Sequence, residues 1–428
     1  MSFIIGPMRK HVDGHKELTS HNEVVNLSPN TVAIPLVSGA MTADLLVKEG
    51  DKVNVGTKIA QCNGNFTIPM FSPVSGTVKG VQQIMHSWLK PVDHLVIEND
   101  QHYTFEAPFA PLDFEKASRE ELVEFTKNAG IVGCGGAGFP TYVKYKFAKD
   151  IQLLIINAVE CEPYITADYK VMKAHLDDLV LGTRALLKMS GAPKAQVAIK
   201  VTKKDFIPEL KEAFKAYSNI EVVAVPDVYP MGWERTLVYE LTKKRYDKLP
   251  SECGCIVNNA TTAVAMAQAL REGKPIVEKI ITVSGDGIKT PSNVKVPVGV
   301  SAKEVVEVCG GYTSEEILLI AGGPMMGKTI TSDAFVIAPY SNALTVFINK
   351  PVEAIKCLRC GKCSDHCPAG LQPVRINNAA KVNNVELLEK LNYDACIECG
   401  MCTYICPSKI DVTEGVRKAK RYMALKKK

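Results

Sequence analysis

The sequence predicts a multidomain α/β protein, and three observations lead to that fold class. The chain has 428 residues, enough for two to four domains. Short alternating strands dominate residues 31–100, and helical and strand patterns alternate along residues 115–250. Eight of the fourteen cysteines lie between residues 357 and 406, in two identical patterns. We therefore predict four domains, over residues 1–110, 111–270, 271–348 and 349–428.

The composition is that of a globular protein, with 46% hydrophobic and 23% charged residues. The longest apolar run, IQLLIINAV, is far shorter than the roughly 20 residues needed to cross a bilayer, and the start of the sequence does not read as a secretory signal. We expect no transmembrane segment and a cytoplasmic location. Fourteen cysteines in such a chain suggest metal binding rather than disulfides. The formal net charge of +5 is too small to indicate a nucleic-acid partner.

The first domain, residues 1–110, is β-rich. TVAIPL, DKVNVGTKIAQC, FTIPMFSPVSGTVKGV and DHLVIEND are short strand patterns broken by Gly, Pro and Asn. VKEGDKVNVGTKIA followed by PVSGTVKGV resembles the barrel-sandwich hybrid fold of biotinyl and lipoyl domains, which present a modified lysine on a hairpin tip. The matching stretch here, NGNFTIPM, has no lysine. This domain is therefore predicted to be a scaffold.

The second domain, residues 111–270, alternates between helices and strands. REELVEFTKNAG, HLDDLVLGTRALLKMSG and FIPELKEAFKAY have helical patterns. IQLLIINAV is a continuous apolar run, as expected for a strand covered on both faces, and AQVAIKV and IEVVAVPD are further strands. This order predicts a Rossmann-like α/β domain with a mainly parallel sheet.

The third domain, residues 271–348, combines strands with one short helix. KIITVSGDGIKTPSNVKVPVG predicts a hairpin and SAKEVVEVCG a helix. The segment resembles the soluble-ligand-binding β-grasp (SLBB) module.

The last domain, residues 349–428, carries the two cysteine patterns, each C-x2-C-x2-C-x3-C-P. Three thiolates two residues apart can wrap one face of a four-iron cubane, and the fourth points to a second cluster, as in two-cluster ferredoxins. We therefore predict two [4Fe-4S] clusters with crossed ligation: Cys357, Cys360, Cys363 and Cys406 on one, and Cys396, Cys399, Cys402 and Cys367 on the other. Structural zinc is the alternative, but it prefers CxxC pairs separated by longer gaps. The helical patterns VRINNAAK and NVELLEKL favour a helical two-cluster domain.

A glycine-rich stretch, IVGCGGAGFPTYVKYK, is a candidate ligand-binding loop. It matches neither a dinucleotide G-x-G-x-x-G nor a P-loop, and a tight turn without a ligand is the plain interpretation. However, it precedes Lys144 and a strand that runs into NAVECEPYITAD, a group of acids at a strand's C-terminal end. Ligands of α/β sheets bind at such ends, and glycines let backbone amides approach a planar ring or a phosphate. A ligand site is therefore predicted here.

Four segments together resemble the flavin and NADH site of the flavoprotein subunit of respiratory complex I: GCGGAGFPTYVKY, NAVECEP, YPMGWERTLVYELT and NNATTAVA. With the first domain and both cysteine patterns on the same chain, the whole sequence is similar to the C subunits of Rnf electron-transport complexes and their soluble homologues, the RnfC-like family. The resemblance implies FMN and NADH as cofactors beside the two clusters.

The same resemblance implies a set of site residues. Flavin and nucleotide would be lined by Gly133, Gly135, Gly136, Ala137, Gly138 and Phe139. Lys144 would meet the FMN phosphate or ring, and Asn157 the flavin or its ribityl chain. Glu160 and Glu162 would face the nicotinamide nucleotide as catalytic residues, and Tyr229 and Glu234 would close the pocket. The residues near the FMN phosphate would be Asn258, Asn259 and Thr261. Without a ligand, each acid would simply be a solvated residue at the end of a strand, and Lys144 would be an ordinary surface lysine.

Several positions depart from these families. Complex I flavoproteins have Asp at the position of Val159 and usually an acid at that of Trp233. Rnf subunits usually begin with a Gly-His-Pro-Pro segment, whereas IIGPMRKHVDGHKEL has no double proline. They also usually carry an aliphatic residue at the position of Cys134. These departures suggest a side branch such as the proline-reductase-associated electron-transfer proteins (PrdC) of amino-acid-fermenting clostridia, some of which are selenoproteins.

Cys134 itself has two interpretations. It can be a small apolar filler, since buried free cysteines are common and inert. Alternatively it is a catalytic thiol, whose pKa is lowered by backbone amides and Lys144 and which forms a second exit for electrons beside the flavin.

These features predict an NADH:acceptor oxidoreductase that takes a hydride onto FMN and passes single electrons through the two clusters to a protein acceptor. The preferred acceptor is a soluble enzyme such as D-proline reductase. The alternative is a peripheral NADH-binding subunit at the inner face of the membrane in an Rnf NAD:ferredoxin oxidoreductase complex, with other Rnf subunits or ferredoxin as partners. A third hypothesis is an electron-relay scaffold that has lost flavin. Homo-oligomerisation is left open.

Overall fold

The computed structural model describes residues 10–39 and 41–426. It agrees with the predicted fold class: a β-rich first domain, a parallel α/β domain, a β-grasp module and a helical last domain follow one another along the chain. Every helix and strand predicted for residues 115–250 is present in the predicted order.

The described residues of the first part of the chain form one short helix and nine strands. In chain order they are α1 (Glu17–Ser20), β1 (Val24–Asn26), β2 (Thr31–Pro35), β3 (Val37–Ser38), β4 (Met41–Leu45), β5 (Lys52–Val53), β6 (Lys58–Cys62), β7 (Ile68–Phe71), β8 (Gly76–His86) and β9 (Lys90–Asn99). Two four-stranded sheets, β2-β9-β8-β5 and β3-β4-β6-β7, enclose a core that includes Ile59, Leu95 and Ile97. The inward-facing apolar side chains alternate with outward polar ones, which is why these short runs form two packed sheets.

Strand β1 does not belong to this sandwich. It pairs in parallel with residues 293–295 of the β-grasp module, and the amide of Leu27 donates to the carbonyl of Lys295 at 3.0 Å. A strand that lies within residues 1–110 of the sequence thus joins the sheet of the β-grasp module. A three-residue strand is too short to carry a periodicity that assigns it to one sheet or another.

The α/β domain has seven helices and four strands. In chain order they are α2 (Arg119–Asn128), α3 (Thr141–Lys146), β10 (Leu153–Ala158), α4 (Ala167–Ala174), α5 (Leu176–Ser190), β11 (Ala195–Lys200), α6 (Ile207–Phe214), β12 (Ile220–Val225), α7 (Glu234–Thr242), β13 (Cys255–Asn259) and α8 (Ala260–Glu272). A capping box between Ser118 and Glu121 starts α2, and Gly191 in the left-handed conformation ends α5.

The four strands form one parallel sheet in the order β12-β11-β10-β13. The chain runs outward from β10 through β11 to β12 and then returns to place β13 on the other side of β10. The strand order thus reverses between β10 and β13. Open α/β sheets bind their ligands at the carboxyl ends of strands at such a reversal.

The β-grasp module consists of β14 (Glu278–Ser284), β15 (Ser292–Pro297), α9 (Ala302–Val308), β16 (Ile317–Ala321), β17 (Lys328–Ile330) and β18 (Ala343–Ile348). Its sheet has the order β1-β15-β14-β18-β16-β17. The predicted hairpin is the antiparallel pair β14 and β15, and the predicted helix is α9. Helix α9 covers the sheet with Val305 and Val306, both buried.

The last domain is helical, as predicted. It contains α10 (Lys362–Asp365), α11 (Pro373–Lys381), α12 (Val385–Lys390), α13 (Met401–Tyr404) and α14 (Val412–Lys426). Its core includes Ile376 of α11, Leu388 of α12 and Val416 of α14. In the part of the chain that the structure describes, no helix is long and apolar enough to cross a membrane.

Candidate functional site

Two residue groups converge where the parallel sheet reverses. Strand β10 ends at Ala158 and leads into Glu160 and Glu162, while β13 ends at Asn259, the residue that caps α8. The glycine loop, residues 133–139, lies over this end of the sheet. The amide of Cys134 donates to the Thr262 hydroxyl at 3.0 Å and so anchors the loop on the first turn of α8.

The glycine loop is held at its base and open at its tip. The amide of Gly133 donates to the carbonyl of Phe139 at 2.8 Å. Between them, the residues Gly135 to Ala137 are exposed, and their amides donate no hydrogen bond to any residue that the structure describes. Gly136 has φ +120°, and a Cβ added there would meet no atom within 4 Å. Three free amides beside open space form a cradle for the oxygens of an anionic or carbonyl-bearing ligand.

Gly138 is required for a different reason. Its φ is +62°, and an added Cβ would lie 2.5 Å from the ring of Tyr340 in the β-grasp module. Glycine at this position therefore lets the loop and the β-grasp module meet closely. Phe139, at the end of the loop, is exposed and packs edge-on against Phe66 of the first domain at 5.4 Å between ring centroids.

Glu160 combines an unusual backbone conformation with a buried carboxylate. Its φ of +28° is unusual for a residue with a side chain. One carboxylate oxygen accepts from the amide of Asp168 at 2.8 Å, whereas the other is buried without a hydrogen-bond partner. Burial raises the pKa of Glu160 to about 7, against the opposing charge of Lys16 at 3.7 Å. Backbone strain and an unsatisfied buried oxygen together are typical of functional sites.

Two residues near Glu160 were not predicted. Lys16, from the N-terminal segment, reaches the site and donates to the backbone carbonyls of Glu162 and Ile165. No local pattern around Lys16 signals this role. Asp168 accepts from the side chains of Asn259 at 2.6 Å and Thr261 at 2.7 Å, so it joins α4 to α8. Its position inside the acidic run NAVECEPYITAD was the available signal.

Glu162 joins three domains. Its Oε1 accepts from the amides of Met325 and Met326 in the β-grasp module, at 2.7 and 2.9 Å. Its Oε2 lies 3.3 Å from the hydroxyl of Tyr229, which donates to the backbone carbonyl of Cys399 at 2.7 Å. An acid of the α/β domain is thus connected, through one tyrosine, to the second cysteine motif.

Four other predicted residues lie around this centre, but each is engaged within the α/β domain. Lys144 is carried by the short helix α3, and its ammonium donates to the carbonyl of Val257 at 2.8 Å. The Asn157 side chain donates to the Gly232 carbonyl at 2.8 Å, and Glu234 accepts from the Tyr246 hydroxyl at 3.0 Å. The Asn258 side chain is bonded to the Tyr145 hydroxyl. In this structure these four side chains do not line the cavity, and their hydrogen bonds stabilise the α/β domain around it.

A cavity of about 320 Å³ opens in front of the glycine loop. Gly135, Gly136 and Glu162 are the predicted residues that line it. The opposite wall is formed by the β-grasp module, over residues 321–328 and 340–344, and the rim includes Ser87 and Trp88 at the turn between β8 and β9. The volume falls within the range of small-molecule sites. The free amides and the open space at Gly136 fit the predicted flavin and nucleotide.

The structure corrects the expectation for Cys134. Its side chain is fully buried, its sulfur faces the carbonyl of Val132, and it lines a separate cavity of about 60 Å³ rather than the one in front of Gly136. The pKa of the thiol is raised, because burial outweighs the nearby charge of Lys279. The predicted lowering of this pKa is therefore wrong, since the exposed amides lie on the other side of the loop. The filler interpretation fits this geometry.

We expect Cys134→Ala to leave NADH-dependent dye reduction within a few-fold of wild type, with a loss of about 1 kcal/mol in the free energy of unfolding. Iodoacetamide near neutral pH should not label Cys134 in the folded protein, because its side chain is fully buried and the reagent cannot reach the sulfur. Cys253, a partly exposed non-ligand cysteine, is the positive control for alkylation. Rapid labelling of Cys134, blocked by NADH, would restore the catalytic interpretation.

The second cysteine motif surrounds a small pocket together with one residue of the first. Cys367, Cys396, Cys399 and Cys402 all line it, and three of the four are buried. The pKa of Cys399 is raised by burial and by the neighbouring Cys367, Cys402 and Cys396. Four thiols around one space, including Cys367 from the other motif, fit a [4Fe-4S] cluster with crossed ligation.

The remaining four cysteines lie nearer the surface. Cys357 and Cys360 are exposed, and Cys363 and Cys406 are partly exposed. The loop that carries Cys357 is tied to the region of Cys406, since the Ser408 hydroxyl donates to the Lys356 carbonyl at 3.2 Å and the Ile355 amide to the Ser408 carbonyl at 3.1 Å. These contacts hold the loop of Cys357 close to the segment of Cys406, as the predicted ligation of one cluster by both motifs requires.

Comparison with known families gives four separate matches along the chain. Profiles of four families match it: the RnfC barrel sandwich hybrid domain over residues 10–102, the Nuo51 FMN-binding domain over residues 126–268, the SLBB domain over residues 280–329 and the 4Fe-4S dicluster domain over residues 350–407. The chain therefore contains an FMN-binding domain and a two-cluster iron–sulfur domain.

Relatives match over most of the chain. The C subunit of the Na⁺-translocating ferredoxin:NAD⁺ oxidoreductase complex of Acetobacterium woodii is 34% identical over 374 residues, which cover 85% of this chain and 84% of that protein. The C subunit of the proton-translocating ferredoxin:NAD⁺ oxidoreductase complex of Clostridium ljungdahlii is 32% identical, with coverage of 85% and 81%. The C subunit of the ion-translocating oxidoreductase complex of Vibrio cholerae is 33% identical, and the match spans 51% of its length.

Among solved structures, the chain is similar to the NAD⁺-reducing [NiFe]-hydrogenase in its H₂-reduced state, with a TM-score of 0.50 and 19% identity. The match covers 74% of this chain and 64% of the hydrogenase chain. At this identity the likeness shows a shared fold.

Proposed function

Because this chain belongs to the RnfC family, the C subunits of ion-translocating oxidoreductase complexes, we propose that it is the peripheral NADH-binding iron–sulfur subunit of a ferredoxin:NAD⁺ oxidoreductase complex. Bound FMN and the two clusters would supply the conversion between two-electron hydride chemistry and single-electron transfer. The residues of the chain would bind and orient these cofactors and the nucleotide.

One observation carries the proposal: the cavity in front of the glycine loop and the second cysteine motif share a continuous set of contacts. Glu162 lines the cavity, Tyr229 contacts Glu162, and the Tyr229 hydroxyl donates to the Cys399 carbonyl. Cys399 also packs with Tyr229 and Met401 in a small apolar cluster. A nucleotide site and an iron–sulfur site placed side by side serve electron transfer, since a bound flavin and the second cluster would be neighbours.

The chain's part is to bind and orient. The amides of Gly135 to Ala137 would receive ligand oxygens, and the open space at Gly136 would admit a flat ring. Glu162 is fixed by two β-grasp amides, so its carboxylate holds one position toward the nucleotide. Glu160, with Lys16 and the amide of Asp168 as neighbours, keeps the strand end in its strained conformation. Lys144, Asn157 and Asn258 would support the flavin from the side of the sheet.

Closure of the site involves the β-grasp module. Its residues 321–328 and 340–344 form the wall opposite the glycine loop and shield the cavity from bulk water on that side. Electrostatic contacts inside such a partly closed site are stronger than in water. This arrangement supports the flavin-containing function over the relay scaffold, for which an open cradle of free amides would have no use.

The relatives also bear on the acceptor. They are named as components of ion-translocating complexes, and they give no support to D-proline reductase as a partner. We therefore propose other subunits of such a complex, or ferredoxin, as the electron-transfer partners.

The test uses the full chain, purified anaerobically and reconstituted with iron, sulfide and FMN. We expect NADH alone to reduce the flavin and both clusters, as followed by visible absorbance and by electron paramagnetic resonance. Clusters that respond to dithionite but not to NADH would instead support the relay scaffold. In a second arm, a tagged chain recovered from detergent extracts of its own cells should carry integral membrane proteins with it. Recovery with a soluble reductase would contradict the assignment to a membrane complex.

A further inference from the structure

The turn between β10 and α4, residues 159–166, is strained at two positions. Glu160 has φ +28° and Tyr164 has φ +66°, in the left-handed region that residues with a Cβ rarely adopt. Such conformations persist only where surrounding contacts fix them. The turn also carries both acids that were predicted to face the nucleotide, Glu160 and Glu162. Whatever fixes the turn therefore sets the position of these acids.

Residues 10–16, which precede the first domain's strands, contact the turn at Tyr164. The Tyr164 amide donates to the carbonyl of Gly14 at 2.6 Å. The ring of His15 stacks on the ring of Tyr164, with 4.8 Å between their centroids. One of the two strained positions is thus fixed by a backbone hydrogen bond and a ring contact from a distant part of the sequence.

Lys16 fixes the other strained position. Its ammonium lies 3.7 Å from Oε2 of Glu160, the oxygen that accepts no hydrogen bond from any residue that the structure describes. It also donates to the backbone carbonyls of Glu162, at 3.1 Å, and of Ile165. One ammonium therefore joins a carboxylate and two carbonyls of the same turn. Lys16 does not line the cavity in front of the glycine loop, so it can influence a bound nucleotide only through the turn.

We propose that Lys16 is a positioning residue for NADH oxidation: its ammonium neutralises the carboxylate of Glu160 and so keeps the turn that faces the nucleotide in place. The inference rests on the proposed function, because it concerns the same nucleotide site. It assigns to a residue outside the α/β domain a part in the chemistry of that domain.

Burial makes the ion pair important for the turn. The side chains of Lys16 and Glu160 are only 15% and 6% exposed. The charge of Lys203 also acts on Glu160, but Lys203 forms no ion pair with it. Removal of one partner from a buried pair leaves the other charge without compensation, whereas removal of both charges is often tolerated. Without the ammonium, Glu160 would have to leave its place or take up a proton, and the strained turn would relax.

The same segment also reaches the second cysteine motif. The Tyr229 amide donates to the carbonyl of Lys10 at 2.7 Å. Val12 is buried and packs in one apolar cluster with Tyr229 and Cys399. These contacts fix the segment that carries Lys16 on the residues beside the motif. The ammonium is therefore held in place at both ends of a short segment, as a positioning role requires.

The test measures the reduction of flavin by NADH in the full chain, loaded with FMN and both clusters, in a stopped-flow spectrometer. Lys16→Met removes the ammonium and keeps an unbranched side chain. We expect the limiting rate at saturating NADH to fall at least about tenfold, because the turn no longer orients the nucleotide, while the flavin content stays at the wild-type level. Lys10→Met is the matched control, since Lys10 lies in the same segment and contacts Tyr229 through its backbone carbonyl.

A double-mutant cycle with Glu160→Gln separates positioning from simple stabilisation. In the Glu160→Gln background, where the carboxylate carries no charge, Lys16→Met should lower the limiting rate by no more than about threefold. Equal losses in the two backgrounds would overturn the proposal, and so would a Lys16→Met protein that has a lower melting temperature but an unchanged limiting rate.

Folding of the variants gives a further distinction. If Lys16→Met alone does not fold, the double variant should fold and bind flavin, because it leaves no buried charge unpaired. Failure of both variants to fold would assign Lys16 a purely structural role and overturn the proposal. Failure of the proposed function would look different, because NADH would then not reduce the flavin of the wild-type protein.

Discussion

Gly136→Val is expected to abolish flavin binding and to lower NADH-dependent dye reduction at least about a hundredfold, while the iron content stays at the wild-type level. The reason lies in the loop tip. Gly136 has φ +120°, a conformation that a β-branched residue avoids, and it lines the cavity with open space where a side chain would project. A valine would therefore either fill the space of the ligand or rotate the free amides away from it.

Gly311→Val is the control variant for the effect of backbone strain alone. Gly311 has φ +83° and equally open surroundings, but it lies in the β-grasp module and does not line the cavity. This control should lose some stability and keep its flavin. Flavin content is measured after denaturation of the purified proteins, and turnover with an artificial dye. A Gly136→Val protein with normal flavin and normal turnover would rule out the glycine loop as the site.

Cys367→Ala is expected to remove the cluster of the second motif and to reduce the iron content from about eight to about four per chain. Cys367 belongs to the first motif by sequence but lines the pocket of Cys396, Cys399 and Cys402. The cluster that remains should still be reduced by dithionite. Its reduction by NADH should become slow, because the lost cluster is the one whose ligand Cys399 contacts Tyr229 beside the cavity.

Cys406→Ser is the reciprocal variant, and it should impair the cluster of the first motif instead. Cys309→Ala is the matched control, since Cys309 is a buried cysteine of the β-grasp core far from both motifs in sequence. Iron analysis and electron paramagnetic resonance of the reduced proteins distinguish the outcomes. If Cys367→Ala spares the second-motif cluster and removes the other, the crossed ligation is wrong.

The elements of the fold were largely predictable because their signals are local. The continuous apolar run IQLLIINAV becomes β10, the centre of the parallel sheet, and the amphipathic stretch after Ser118 becomes α2. Strand β1 was not predicted, because its pairing with β15 depends on residues more than 260 positions away. A short edge strand has no periodicity of its own that would reveal such a partner.

The site was predictable as a set of residues but not as an arrangement. The glycine loop and the acids after β10 do meet, since the carboxyl ends of parallel strands share one edge of a sheet. Lys16 and Asp168 were missed, and Cys134 was given a chemical role that its burial does not support. Whether a loop residue faces a ligand or the core depends on one backbone rotation, and neighbouring residues in the sequence do not encode it.

The sequence by itself determined the four domain types, the two cysteine motifs and the family, because motif spacing and periodicity are properties of short segments. The tertiary structure alone decided that Glu162 is held by Met325 and Met326 and that Lys328 and Trp88 line the cavity. The physical reason is the packing of domains: residues separated by more than 160 positions become neighbours only when whole apolar faces are buried against one another.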